Sequence, residues 1–218
     1  MLVASFYAYR YDKWGVDYHK CLNVLEASCE RLGLKHVVIS DKQQGKFNTF
    51  VTDLPENLMQ AMLVGQRNFV AQLEGPALLV GADCVIASDP RKVLDGVDAA
   101  FTVYPFGDCC LNTGAMWVRD KRCASIWESA VAKNPIEWGE DQLALRDSLE
   151  PVPSKVDEPQ DGVRNGLRIR FLDCRKYNWA PENVRDRAND CMVAHFRGTR
   201  KKTMRPWAWL NLGINVVP

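Results

Sequence analysis

Strong net charge, membrane-length apolar runs and paired cysteine motifs are all missing from this chain. The formal net charge is +1 over 218 residues, so bulk charge argues neither for nor against nucleic acid, and any partner preference must come from local patches. No apolar run approaches the roughly 18 residues of a membrane span. The opening segment, Met1 to Arg10, lacks the basic leader and cleavage pattern of a signal peptide and reads as a first strand. The eight cysteines, at 21, 29, 84, 109, 110, 123, 174 and 191, form no CxxC pair. That spacing argues against four-thiolate zinc, and the adjacent Cys109 and Cys110 are awkward in a disulfide framework. Reduced, mostly buried thiols in a cytoplasmic protein are expected. Repeats, low-complexity segments and linker-like stretches are also absent. The 47% hydrophobic and 25% charged content is that of a globular chain, and one domain over residues 1–218 is expected.

What is present centres on Asp83. The run Ala77-Leu78-Leu79-Val80 carries no charge and fits a strand buried on both faces, as in a parallel sheet covered by helices. Asp83 follows just past its carboxyl end, where open α/β sheets bind their ligands. A carboxylate there suits a divalent cation or a sugar hydroxyl, or else caps a turn ahead of Asp89-Pro90.

The flanking pattern is that of an α/β chain. A strand over residues 2–9, a helix over 16–32 ended by Gly33, and a strand from Leu34 to Ser40 make a β-α-β opening. Residues 42–52 read as a polar loop. Asp53-Leu54-Pro55 reads as the start of a second helix, which Gly75-Pro76 breaks. Strands are expected at Ala99–Tyr104, Leu111–Arg119, Leu167–Leu172 and Cys191–Phe196, and helices at 122–133 and 140–149. Residues 151–166 read as a surface loop. From about Gly198 the tail is basic, then aromatic.

Four local features could carry chemistry: Gly81-Ala82-Asp83; Asn112-Thr113-Gly114, whose glycine lets backbone approach a ligand; Trp138-Gly139-Glu140-Asp141-Gln142; and the segment His195 to Lys202. Glu140 and Asp141 at a helix start are favoured by the helix dipole and could also supply a general base. The imidazole of His195, followed by Arg197, Gly198, Arg200, Lys201 and Lys202, suits a metal-bound diphosphate.

In this order the features resemble the A-type glycosyltransferases, the nucleotide-diphospho-sugar transferase superfamily, and most nearly its glycogenin-like and bacterial galactosyltransferase-like group. That family carries Asp-x-Asp, then Asn-Ser/Thr-Gly, then Asp-Gln at a helix start, then His-Phe-x-Gly before a lysine. The chain has Asp83, Asn112-Thr113-Gly114, Asp141-Gln142 and His195-Phe196-x-Gly198. The resemblance implies a Rossmann-like α/β fold with a mostly parallel central sheet flanked by helices. It also implies transfer of a hexosyl or pentosyl group from a nucleotide-diphosphate sugar, with the nearest group retaining configuration.

Mn²⁺ or Mg²⁺ would sit on Asp83 and His195. The base would lie near Ala8, Tyr9 and Asp41. The donor would also meet Arg67, Asn112, Gly114, Gln142 and the cations after His195, and Asp141 or Glu140 would be the catalytic carboxylate. The acceptor is left open among glycan, lipid-linked sugar, protein and modified nucleic acid. Two departures stand out. Gly81 replaces the first aspartate of Asp-x-Asp, and the lysine-proline-tryptophan after the glycine is altered, with Pro206-Trp207 further on. Gly81 keeps alive a catalytically silent nucleotide-sugar binder. The cations from Arg197 to Arg205, with Trp207 and Trp209, would suit a sugar transferase or binder acting on nucleic acid. A nucleotidyltransferase would need glycines just after the first strand, where Ala8-Tyr9-Arg10-Tyr11-Asp12 has none.

Overall fold

A computed structural model describes residues 1–8, 17–105 and 110–216. Tyr9 and Cys109 lie outside the described residues. Ten strands and six helices follow in the order β1 (Leu2–Phe6), α1 (Tyr18–Arg31), β2 (Lys35–Ser40), β3 (Thr49–Val51), α2 (Leu58–Val70), β4 (Ala77–Gly81), β5 (Cys84–Ile86), β6 (Ala99–Val103), β7 (Leu111–Val118), α3 (Ala124–Val131), α4 (Glu140–Ser148), β8 (Gln160–Arg164), β9 (Leu167–Asp173), α5 (Cys174–Tyr177), β10 (Val193–His195) and α6 (Met204–Leu212). Eight strands form one sheet in the order β3-β2-β1-β4-β7-β6-β9-β8, and β5 and β10 form a separate two-stranded ribbon. In the large sheet only β7 and β8 run against the others, so the expected mostly parallel α/β architecture is present.

The uncharged central strands follow from burial on both faces. Successive strand residues point to opposite sides. Val3, Leu78, Val80 and Trp117 pack under α1, α6 and the ribbon with Phe196 and Trp207. Ala4, Leu79, Phe101 and Met116 pack under α2, α3 and α4 with Leu63 and Trp127. Both layers need apolar side chains, so β4 has no polar position until it ends.

Several expectations need correction. The second helix begins at Leu58, not at Asp53, because the Asn57 side chain accepts from the backbone N–H groups of Met59 and Gln60 and caps it there. The stretch 42–52 holds the short edge strand β3 beside β2, and 151–166 holds β8, a hairpin partner of β9. Both were obscured by polar composition, since edge strands are half-exposed and need no apolar run. In the basic tail, which reads from sequence as a composition with no element assigned, residues 198–203 form a 3₁₀ turn leading into α6, whose Trp207 is fully buried against Phe196.

Two local irregularities position the site. Between β6 and β7 the register moves from Phe101 opposite Met116 to Thr102 opposite Asn112, so Thr113 to Ala115 bulge from that ladder. In the ribbon, His195 pairs with Cys84, and the Phe196 N–H donates to the Asp83 carbonyl at 2.9 Å. That register carries a residue from near the end of the chain to the carboxyl end of β4.

Candidate active site

A cleft of about 440 Å³ opens over the carboxyl ends of β1 and β4 and the start of β7. Asp83, His195 and Lys201 meet in its floor. His195 Nε2 lies 3.3 Å from Asp83 Oδ1, and Lys201 Nζ lies 2.7 Å from Oδ2. All three side chains are nearly buried. Burial alone would raise the Asp83 carboxyl, but the His195 imidazole and the Lys201 ammonium outweigh it and hold the acid well below the usual carboxylate range. Burial pulls the Lys201 ammonium down, yet Asp83 and Tyr18 more than compensate and raise it. Lys201 also lies over the Tyr18 ring at 5.5 Å.

Two glycines make room for this cluster. A Cβ on Gly114 would stand 2.2 Å from His195 Nδ1 and 2.9 Å from Asn178 Nδ2, so only glycine lets the imidazole lie against the β7 bulge. A Cβ on Gly81 would stand 2.6 Å from Asp83 Oδ1. The position where the family carries its first aspartate is thus covered by the carboxylate of the second.

The spacing of the donor set suits a divalent cation. Two ligands at about 2.1 Å subtending roughly 90–105° at one ion stand about 3.0–3.3 Å apart. Asp83 Oδ1 and His195 Nε2 are 3.3 Å apart, which fits. Cys84 is the third group in reach, its sulfur within 4.8 Å of both. Burial, reinforced by Asp83, raises that thiol well above its ordinary value, and Sγ donates to the Gly114 carbonyl at 3.4 Å. The carboxylate and the imidazole are therefore the available ligands.

Around this floor the cleft gathers Ala8, Asn112, Gly114, Asp141, Gln142, Arg197 and Gly198 from the sequence-derived set. The Asn112 carboxamide oxygen accepts the Gly114 N–H at 3.1 Å, while its Nδ2 is buried with no partner among the described residues. Arg197 lies over the Tyr104 ring at 5.4 Å, with Nε and Nη2 buried and unpartnered among the described residues. Unpaired buried donors of this kind are costly unless a ligand meets them. Asp141 is 5% exposed; burial pushes its carboxyl up to about 6 against backbone N–H bonds from Gln142 and itself, and no cation among the described residues offsets the rise.

Other members of the set sit elsewhere. The Glu140 carboxylate accepts the backbone N–H groups of Ile136 and Glu137 at 2.6 and 2.9 Å, which ties it to the turn before α4 rather than to the cleft. Arg67 bonds the neighbouring Asn68, and its neighbour Gln66 lines the cleft instead. Asp41 accepts from Ser40 Oγ at 3.3 Å at the end of β2, off the cleft lining. Arg200 donates to the Pro181 carbonyl at 3.3 Å. Lys202 is exposed and lines a separate hollow with Lys20 and Arg205. Sequence reasoning missed the Lys201–Asp83 ion pair, and it missed Tyr18, Met59 and Met62 on the cleft walls. Nothing local marks the latter, whose helical spacing reads simply as core.

No protein-family model and no curated protein sequence matches the chain. Solved structures do match it in shape. A glycosyltransferase involved in the glycosylation of the major capsid of PBCV-1 aligns at TM-score 0.57 and 12% identity, over 94% of this chain and 98% of that one. The galactosyltransferase LgtC, in complex with donor and acceptor sugar analogs, aligns at TM-score 0.54 and 10% identity, over 100% and 98%. The glycosyltransferase GlyE of Streptococcus pneumoniae TIGR4 aligns at TM-score 0.59 and 11% identity, over 94% of this chain and 59% of its own. The chain therefore has an A-type glycosyltransferase fold.

Proposed function

We propose that this chain is a glycosyltransferase moving a sugar from a nucleoside-diphosphate sugar to an acceptor hydroxyl. One observation carries the reading: Asp83, His195 and Lys201 converge within 3.3 Å contacts at the carboxyl end of β4, beside the Thr113–Ala115 bulge. Mn²⁺ or Mg²⁺ would be held by Asp83 and His195, and when bound it offsets the negative charge that grows on the departing diphosphate. Lys201 and the unpartnered face of Arg197 add fixed positive charge to the same end of the cleft. Ala8 would border the base, with Asp41 further out; Asn112 and Gly114 would border the sugar, the Asn112 amide donating to a hydroxyl.

In the transfer, the bond from the anomeric carbon to the diphosphate oxygen breaks and its electron pair leaves with the nucleoside diphosphate. The acceptor oxygen bonds to that carbon and gives up its proton. On an inverting course Asp141 takes the proton; on a retaining course, towards which the family resemblance leans, its charge stabilises the cationic sugar and orients the acceptor while the departing diphosphate oxygen takes the proton. The buried position of Asp141, with no cation beside it, supports this role over a purely structural one. The nucleic-acid reading loses support because Lys201 is paired with Asp83, Arg200 is bonded to Pro181 and Trp207 is core. A cytoplasmic setting suits the free cysteines among the described residues, and no described helix is long and apolar enough to cross a membrane.

The test is a thermal-shift series with UDP, GDP, CMP and their sugars, with and without Mn²⁺, followed by donor hydrolysis. A nucleotide that raises the melting temperature, and whose sugar is hydrolysed by the wild type but not by Asp83→Asn, supports the reading. A flat response to every nucleotide overturns it.

A further inference from the structure

The cleft has two unlike walls. Arg197 and Lys201, from the segment just after β10, and His195, which ends β10, make one wall basic. Another wall, from α2 and the turn into α4, is Leu58, Met59, Met62 and Trp138. Trp138 is 77% exposed, the most exposed large hydrophobic side chain among the described residues. Gly139 follows it with φ +89°, a left-handed conformation that glycine adopts without strain, and this turn keeps the indole at the cleft mouth instead of in the core. A bare indole at the mouth of a cleft gains from being covered, by ring stacking along its face.

The surroundings of Trp138 say what would cover it. Among the described residues no cation stands on this wall, so it offers nothing to a phosphate. Asp141 and Gln142, three and four residues on, bring hydrogen-bonding groups to the same edge, and the Gln142 side chain makes no hydrogen bond among the described residues. A flat apolar surface fringed by an amide and a carboxylate matches a molecule with one C–H face and a rim of hydroxyls. An anionic nucleic-acid backbone would meet Asp141 unfavourably, and an apolar peptide side chain would leave both polar groups unmet.

We propose that Trp138 is the platform of an acceptor subsite for a pyranose ring, so that the acceptor is a saccharide. The inference rests on the transferase reading above and deepens it by naming the acceptor class. Trp138 here determines specificity: it stacks on the acceptor and does no chemistry.

The test measures binding of methyl β-glucopyranoside, methyl β-galactopyranoside and methyl β-lactoside by NMR titration. The protein is wild type, Trp138→Ala or Trp138→Phe, saturated with the nucleotide that stabilises it best. At least one glycoside is expected to bind the wild type, to weaken roughly tenfold or more in Trp138→Ala, and to stay within about threefold in Trp138→Phe. The nucleotide thermal shift is expected to be equal in all three proteins. Equal glycoside affinity in wild type and Trp138→Ala overturns the inference and leaves the transferase reading standing. So does nucleotide binding without any glycoside binding, or a Trp138→Ala change confined to oligomeric state by light scattering. Absence of nucleotide binding by the wild type overturns both.

Discussion

Replacing Asp141 with asparagine is expected to stabilise the protein at pH 8 while abolishing transfer. The carboxyl is pushed up to about 6 from an ordinary 3.8, first by burial, with backbone N–H bonds only partly opposing. A rise of about two units corresponds to about 3 kcal/mol. The sign follows from proton binding. Between pH 3.8 and 6 the folded protein holds a proton on Asp141 that the unfolded chain has released, so stability falls as pH rises through that window. Above it the ionised carboxylate destabilises the fold by the full amount, and asparagine, of similar shape and uncharged, removes that penalty. For a chain of this size, about 3 kcal/mol corresponds to roughly 6–12 °C in melting temperature.

Thermal or urea melts at pH 8 and pH 5 separate this effect from a change in packing. The gain in Asp141→Asn should be greatest at pH 8 and fall to about half at pH 5, where the wild-type carboxyl is mostly protonated. Transfer should be lost at both values. An asparagine variant that is less stable at pH 8, or equally stabilised at both pH values, would refute the argument that the site holds this carboxylate at a cost to the fold.

Other perturbations follow from the same geometry. His36 Nε2 lies 2.9 Å from Ser5 Oγ, its Nδ1 is buried without a partner among the described residues, and burial lowers the ring to about 4. The neutral ring's contribution is full above pH 6.5 and is lost as pH falls towards 4, so the stability advantage of wild type over His36→Gln in urea melts should shrink by about 3 kcal/mol across that range. Lys201→Met leaves the nearly buried Asp83 carboxylate without its ammonium and should cost about 3 kcal/mol, while the double variant with Asp83→Asn recovers most of it; additive losses in urea melts would contradict a direct pairing. Gly81→Asp, which adds back the family's first carboxylate, should weaken the Mn²⁺-dependent thermal shift roughly tenfold in apparent affinity, because its Cβ would displace Asp83 Oδ1. A stronger Mn²⁺ response would contradict that steric account.

The elements legible in the sequence are those whose pattern has a single physical cause. Val3, Leu78 and Leu79 read as strand because a doubly covered sheet tolerates no polar residue there, and α1 read as helix because Cys21, Leu22, Leu25 and Cys29 fall on one face. The strands β3, β5 and β8 did not read, being three to five residues long and formed by pairing rather than by composition. Asp83 was legible as a site residue from its place at a strand end, and Asp141 from its place at a helix start. The partnership of Asp83 with His195 came only from resemblance, since its cause is the ribbon register that sets His195 opposite Cys84.

Choosing among the tail cations was beyond sequence altogether. Arg197, Arg200, Lys201 and Lys202 are chemically near-equivalent in a string, but the 3₁₀ turn of residues 198–203 places successive side chains about 120° apart. One of them must then turn inward while its neighbours turn out. Lys201 is the one that reaches Asp83, and Arg200 and Lys202 on either side reach Pro181 and solvent. Sliding that turn by a single residue would leave the composition of the tail unchanged and bring a different cation to the floor of the cleft. The identity of the residue that neutralises Asp83 is therefore a property of turn phase, which Gly198, at φ +56°, sets where the chain leaves the ribbon.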